Sequence, residues 1–347
     1  MYYKGLSTVL GLGVAAALVT GLTPITDTTA GAQTFRYSQW LPAGHFSQRE
    51  VLHVYFKDVE KATQGRVKIQ PTAKGLGAPP RQYQLLVDGI ADVIFVPHGY
   101  TPGVHPLSEM AELPFITRSS EANSVAYWRV FKKHLEPAGM HKQVHTLNVH
   151  VHPAGHLYNN KREVKVLTDF KGIKFRSTTF GVSEALRIFG AVPVAGPVTA
   201  LRNGLAKGVY DGTSFTDEAV YAFKISKFIK YVTRFPGGLY NTSFMIGMNK
   251  KSWGKISKAD QATVMSISGE VYSKRVGKIW DAYEVAAEPK LKANGVAYHV
   301  LGGATLAEVK TKLSKFEANW IAKVKERGVD GAAALKMFRG IVASYGS

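Results

Sequence analysis

The sequence predicts an α/β protein of two similar lobes joined by a hinge, and three observations predict it. Strand and helix patterns alternate from Gln33 to His152, and the same alternation restarts at Gly172. A strand near Asn241 then leads back from the second half, with no Pro- or Ser-rich linker anywhere in the chain. At 347 residues the chain is long enough for two ordinary domains.

The elements follow in order. TFRYSQW (34–40) alternates as a half-buried strand does, and QREVLHVYFKDVEKATQG (48–65) has apolar residues at helical spacing, stopped at Gly65. RVKIQP (66–71) and DVIFVP (92–97) are strands flanking a helix that opens at APPRQYQLL (78–86), with prolines in its first turn. SEANSVAYWRVFKKHLE (120–136) is a helix and VHTLNVHVH (144–152) a long strand, which completes a parallel α/β lobe. In the second lobe GIKFR (172–176) and AVPVA (191–195) are strands, and GVSEALRIFG (181–190) and VTALRNGLAKG (198–208) are helices. Leu86-x-x-Gly89-x-x-Asp92 and Leu205-x-x-Gly208-x-x-Asp211 repeat one signature, a helix closed by glycine before a strand. NTSFMIGMNKKSW (241–253) returns as a strand, Ser257 to Leu291 is helical enough to run across both lobes, and Thr305 to Gly328 is one more amphipathic helix. The resulting division is an export signal at 1–32, lobe I at 33–153 with 241–281, and lobe II at 154–240 with 282–347.

Lys4 precedes an uncharged stretch from Leu6 to Leu22, and Ala30-Gly31-Ala32 offers a small-residue cleavage site. This reads as a cleavable secretory signal that exports a mature chain beginning at Gln33; the alternative is an uncleaved membrane anchor. There is no cysteine, which excludes disulfides, thiolate chemistry and cysteine-ligated zinc. A formal charge of +19 attracts anions. The basic residues are scattered, however, with no arginine-rich arm or zinc-finger spacing, so small anionic solutes or an acidic membrane partner fit better than nucleic acid.

Enzyme signatures are missing: no G-x-S-x-G, H-E-x-x-H or G-x-x-x-x-G-K-[ST] occurs. GLGAPP (75–80) imitates a dinucleotide loop, but its prolines remove backbone donors that phosphate needs. No cofactor site and no catalytic set emerge, and a periplasmic enzyme is the alternative of a different class. His145, His150, His152 and His156 fall in one segment. Two imidazoles on one strand face can share a metal, yet no carboxylate or cysteine partner is assigned, and a polar sheet surface or cleft wall accounts for them better. No metal site is expected.

Loops at the carboxyl ends of strands are where open α/β sheets bind ligands. QWLPAGHF (39–46) and PHGYTPG (97–103) are such loops, making Trp40, His45, His98 and Tyr100 candidate cleft residues, with core packing as the alternative. Arg176, at the end of the strand in DFKGIKFRS (169–177), holds the same kind of position. Its planar fork matches a carboxylate. The other reading is a salt bridge to Asp211 or Asp217.

The ordered pieces GRVKI, GIADV, GYTPG, PLSEMAELPF, KVLTDFKGIKFR, FGAVPV, KGVYDG and MNKKSW resemble the substrate-binding proteins of tripartite ATP-independent periplasmic (TRAP) transporters. They run over nearly the whole mature chain and are densest from Leu167 to Gly212. The resemblance implies a two-lobed clamshell with hinge strands and a long helix spanning both lobes. It implies a binding protein that closes on a small organic acid and delivers it to the membrane subunits of a sodium-coupled permease; the chain itself is expected to be monomeric. By the same resemblance Arg176 pairs with the ligand carboxylate. His156 stands where many relatives carry a second cation, and Phe215, with Asp217 close behind, stands where a polar contact follows the Asp-Gly pair. Relatives carry a glutamate and a tyrosine before KGVYDG, where the nearest matches here are Ala200 and Arg202. These departures imply a monocarboxylate or 2-oxo acid with an apolar or aromatic tail. A C4 dicarboxylate is the competing ligand, and a ligand sensor for a membrane receptor the competing role.

Overall fold

The structure, a computed structural model, describes residues 1 and 31–346; residues 2–30, with most of the expected export signal, lie outside the described residues. The strands are β1 (Gln33–Tyr37), β2 (Val67–Pro71), β3 (Val93–Pro97), β4 (Val144–Val151), β5 (His156–Asn159), β6 (Lys174–Ser177), β7 (Val192–Ala195), β8 (Gly212–Phe215), β9 (Tyr231–Arg234), β10 (Ser243–Asn249) and β11 (Ala297–Val300). They build two sheets, ordered β2-β1-β3-β10-β4 and β11-β9-β5-β8-β6-β7. The helices are α1 (His53–Ala62), α2 (Gln82–Val87), α3 (Ser120–Val130), α4 (Phe180–Ile188), α5 (Val198–Ala206), α6 (Asp217–Ala222), α7 (Lys250–Gly254), α8 (Lys258–Ser266), α9 (Gly269–Ala293), α10 (Gly303–Leu313), α11 (Lys315–Lys325) and α12 (Gly331–Ser344).

The first sheet is covered on both faces, which is why its central strand β3 (VIFVP) reads as an unbroken apolar run. In β3, Val93 and Phe95 join one core with Phe244 and Ile246, whereas Ile94 and Val96 join the other with Val149 and Met245. The first sheet is not all parallel, as the sequence pattern suggested. β10 runs antiparallel to β3 and to β4. It enters from the second lobe instead of through a crossover helix, so nothing forces it parallel.

The repeated signature has a structural meaning. Gly89 and Gly208 take φ of +74° and +70°, closing α2 and α5. The Asp92 carboxylate then accepts the Arg36 N–H at 2.8 Å, and Asp211 accepts the Lys174 N–H at 3.0 Å. Each aspartate donates its own N–H back to the carbonyl of the same residue. One strand-pairing device is therefore used twice, between β1 and β3 and between β6 and β8.

Two expected helices are each divided. The pattern from Ser257 to Leu291 breaks at Gly269, whose φ is +52° and where a Cβ would lie 2.5 Å from the Trp128 ring. The pattern from Thr305 to Gly328 breaks at Ser314. Despite the break, α9 spans both lobes: Tyr272, Val276 and Trp280 enter the first core, Leu291 the second. Beside it the crossing segments meet where Gly155 donates to the Tyr240 carbonyl at 2.8 Å. The tail does not follow the expected 282–347 boundary. Val309 and Leu313 of α10 join the second lobe, but Trp320, Val324, Leu335 and Phe338 of α11 and α12 pack on the first. An amphipathic stripe shows that a helix is covered and carries no address for the covering sheet. Among the described residues no helix is long and apolar enough to cross a membrane.

Candidate functional site

Arg176 is the largest of the fully buried side chains. It sits on β6 between β7 and β8, with Phe175 and Arg176 in register with Gly212 and Thr213. Its Nε donates to the Gly196 carbonyl at 2.8 Å, Nη2 to the Tyr100 hydroxyl at 3.2 Å, and Nη1, at a long 3.4 Å, to Thr178 Oγ1. A guanidinium carries five N–H groups, so one hydrogen on each Nη stays free, the pair that a carboxylate engages. The guanidinium carbon lies over the Phe215 ring, 5.6 Å from its centroid.

No carboxylate of the described residues pairs with it. Asp211 is taken by Lys161 at 3.3 Å. Asp217 is taken by Arg234 and by the Tyr158 hydroxyl, the latter at 2.7 Å. Among the described residues no ion pair involves Arg176. A buried cation without a counter-ion is costly, and the cost is offset when an anion arrives.

Arg176 opens onto a cavity with about 540 Å³ of empty space, its mouth included. Trp40, Phe95, Phe215, Phe223, Phe244 and Trp280 supply its apolar walls. Phe95 stacks on Trp40 at 6.1 Å and on Phe244 at 5.1 Å, each with an interplanar angle of 7°. Phe244 and Trp280 lie 5.1 Å apart. Such a slot takes a flat ring by face and edge contacts. The Trp40 indole is fixed by a 2.6 Å bond from Nε1 to the Phe95 carbonyl.

Two histidines line the cavity, and burial pushes both imidazoles down to about 4, leaving them neutral. His152 is fully used: Nδ1 faces the Pro153 carbonyl and Nε2 accepts the Thr242 N–H. Arg176 is thus the one permanent cation of the lining among the described residues. The lining also holds an acid. Glu218 Oε1 accepts from Trp280 Nε1 and from Thr216 Oγ1, both at 3.0 Å, and burial pushes its carboxyl up to about 7. Trp280 belongs to the first lobe's core, so this bond crosses between lobes, as does the Tyr100–Arg176 bond.

Of the residues expected from sequence, the structure brings Arg176, Phe215, Trp40, His45 and Tyr100 to one cavity. It does not bring the other three there. His156 lies within β5 opposite Phe215, buried, its Nδ1 accepting the Phe235 N–H and its pKa pushed by burial to about 3; it offers no charge. Asp217 is consumed by Arg234 and Tyr158. His98 binds Ser243 Oγ and His141 Nε2, both at 2.9 Å, and borders a different cavity near Glu109 and Lys323. The histidine group is dispersed too: His145 stacks on Trp253, and His150 bonds Asn148 amid Phe95 and Phe244. Among the described residues no group of three or more His, Asp or Glu side chains could hold a metal ion.

Sequence reasoning missed Phe95, Phe244, Trp280, Thr178 and Glu218. Phe95 and Phe244 had a signal, since each is the one aromatic of its strand. Trp280 and Glu218 had none, being brought together over 62 positions.

Residues 37–323 match family 7 of the bacterial extracellular solute-binding proteins, the DctP family. The chain belongs to this family. A protein of Bordetella bronchiseptica, described as a TRAP periplasmic solute-binding protein with bound (R)- and (S)-mandelate, is 32% identical, with a TM-score of 0.87 over 90% of this chain and 99% of that one. A marine metagenome TRAP protein described as specific for aromatic acids, with 3-hydroxybenzoate bound, is 30% identical, with a TM-score of 0.84 over 91% and 100%. A relative from Comamonas testosteroni, the outer membrane transporter protein TsaT, is 27% identical over 85% of this chain and 87% of its own. Membership carries the mixed α/β, two-lobed fold and a solute-binding role.

Proposed function

We propose that this protein captures an aromatic monocarboxylate in the periplasm and delivers it to the membrane subunits of a TRAP permease, after export directed by residues 1–32. One observation carries the ligand class: a buried arginine with no counter-ion at the end of a cavity walled by aromatic rings. Arg176 holds the carboxylate; Phe215, Phe244, Phe95, Trp40 and Trp280 hold the ring. The mandelate and 3-hydroxybenzoate complexes of the two solved relatives support this reading. A C4 dicarboxylate would need a second cation for its far end, and the lining offers none. Because Tyr100 and Trp280 reach across from the first lobe, the ligand-filled, closed state is favoured by contacts that an open state lacks.

The test is thermal unfolding of the mature chain with benzoates, mandelates, 2-oxo acids, C4 dicarboxylates and sugar acids, with Arg176→Ala in parallel. Aromatic acids should raise Tm. Leaving a desolvated carboxylate unpaired costs about 2–5 kcal/mol, so Arg176→Ala should lose roughly thirtyfold to several thousandfold in affinity. A response confined to dicarboxylates or sugar acids would refute the assignment.

A further inference from the structure

Glu218 has a part that the fold does not explain. Its Oε1 is held by Trp280 and Thr216, while Oε2 is buried and has no protein partner. An unpaired buried carboxylate oxygen is expensive unless something meets it. Most other polar groups of the cavity are occupied: the Tyr100 hydroxyl accepts from Arg176 and from the Val198 N–H, the Trp40 N–H is spent on Phe95, and both His152 nitrogens are used. Ser47 Oγ and Thr242 Oγ1 also lack protein partners. A hydroxyl, however, rotates and can donate or accept, so those two set no requirement. An ionised carboxylate accepts only. While Glu218 is ionised, as it is above pH 7, whatever meets Oε2 must bring a hydrogen.

Charge fixes which part of the ligand this is. Arg176 and Glu218 line the same cavity without forming an ion pair with each other. The ligand's carboxylate is drawn to Arg176 and repelled by Glu218, so Glu218 meets a group carried elsewhere on the ring. We propose that Glu218 is the second polar anchor of the site, its free Oε2 accepting a hydrogen bond from a hydroxyl or amino group on the aromatic ring of the ligand. This rests on the aromatic carboxylate reading and narrows it to ring-substituted acids that carry a hydrogen-bond donor.

The experiment is titration calorimetry at pH 8, above the value to which burial moves Glu218, with unsubstituted benzoate and its 3- and 4-hydroxy, amino and methyl derivatives. Methyl matches the other two substituents in size and donates nothing. At one ring position at least, the hydroxy and amino acids should bind roughly tenfold to a hundredfold more tightly than the methyl acid. In Glu218→Gln the amide oxygen stays with Trp280 and Thr216, so an NH2 group takes the place of Oε2. The amino acid's advantage over the methyl acid should then shrink to less than threefold. Aromatic acids that bind the native protein with no preference for a donor at either position would overturn this proposal and leave the aromatic carboxylate reading standing. If no aromatic acid binds, the reading of the site itself fails. The comparison within the native protein decides the matter even if Glu218→Gln does not fold.

Discussion

The Tyr100 hydroxyl, on a loop of the first lobe, accepts a hydrogen bond from Arg176 Nη2 of the second lobe at 3.2 Å. It also accepts one from the Val198 N–H at 2.9 Å, where α5 begins. A single oxygen therefore aims the cation and fastens the lobes. The Tyr100 ring lies 6.3 Å from Trp40, which holds the hydroxyl at the edge of the aromatic slot.

Tyr100→Phe should separate these contributions, since it keeps the ring and removes the acceptor. A hydrogen bond to a charged group is worth about 1.5–3 kcal/mol. Ligand affinity should drop roughly tenfold or more, with the lobes of the ligand-free protein spending more time apart. Calorimetry with the ligand found in the panel, alongside small-angle scattering, measures both. Unchanged affinity would mean that the bond contributes nothing to closure.

Arg176→Lys retains the charge and loses the fork. Lysine cannot reach Gly196, Thr178 and Tyr100 while presenting two parallel donors, so it should bind at least tenfold more weakly than the native protein. Affinity equal to the native value would show that the site senses charge alone.

Gly212→Ala tests the second sheet, where an added Cβ would meet the Tyr158 carbonyl at 2.2 Å and the Phe175 ring at 2.8 Å. The neighbour is backbone of the paired strand and cannot step aside. Overpacking of this kind costs about 1–3 kcal/mol or more, visible as a lower Tm. A variant as stable as the native protein would contradict the register of β5 against β8.

Acid should destabilise the protein early. Nine histidines have pKa values lowered, with burial as the largest cause in each: His45, His53, His98, His105, His141, His145, His150, His152 and His156. Below pH 6.5 the unfolded chain takes up protons that these sites refuse, so stability falls as pH falls. Burial raises five acids, Glu112, Asp217, Glu218, Asp281 and Glu284, and these act in the opposite sense above the ordinary carboxyl range, up to about pH 7 for Glu112 and Glu218. Nine outweigh five. Tm should decline from pH 6.5 to 5, and a Tm that is flat or rises on acidification would contradict the burial of neutral imidazoles.

Local chemistry made much of this molecule legible in its sequence. The alternation of strand and helix, the paired Gly-x-x-Asp closures and the strand that delivers Arg176 depend on residues within a few positions of one another. So does the carboxylate reading, because a guanidinium offers the same fork wherever it stands. Tertiary structure decided which neighbours that fork has. Asp211 and Asp217 were both plausible partners by position, and each proved to be claimed by another cation. His156 was a reasonable candidate for a charged contact until burial left it neutral. Pairing Glu218 with Trp280, dividing the tail between the lobes and stacking Phe95 on Phe244 all join segments far apart in the chain. A pattern along the chain records that a side chain is buried, and only the packed fold determines against what.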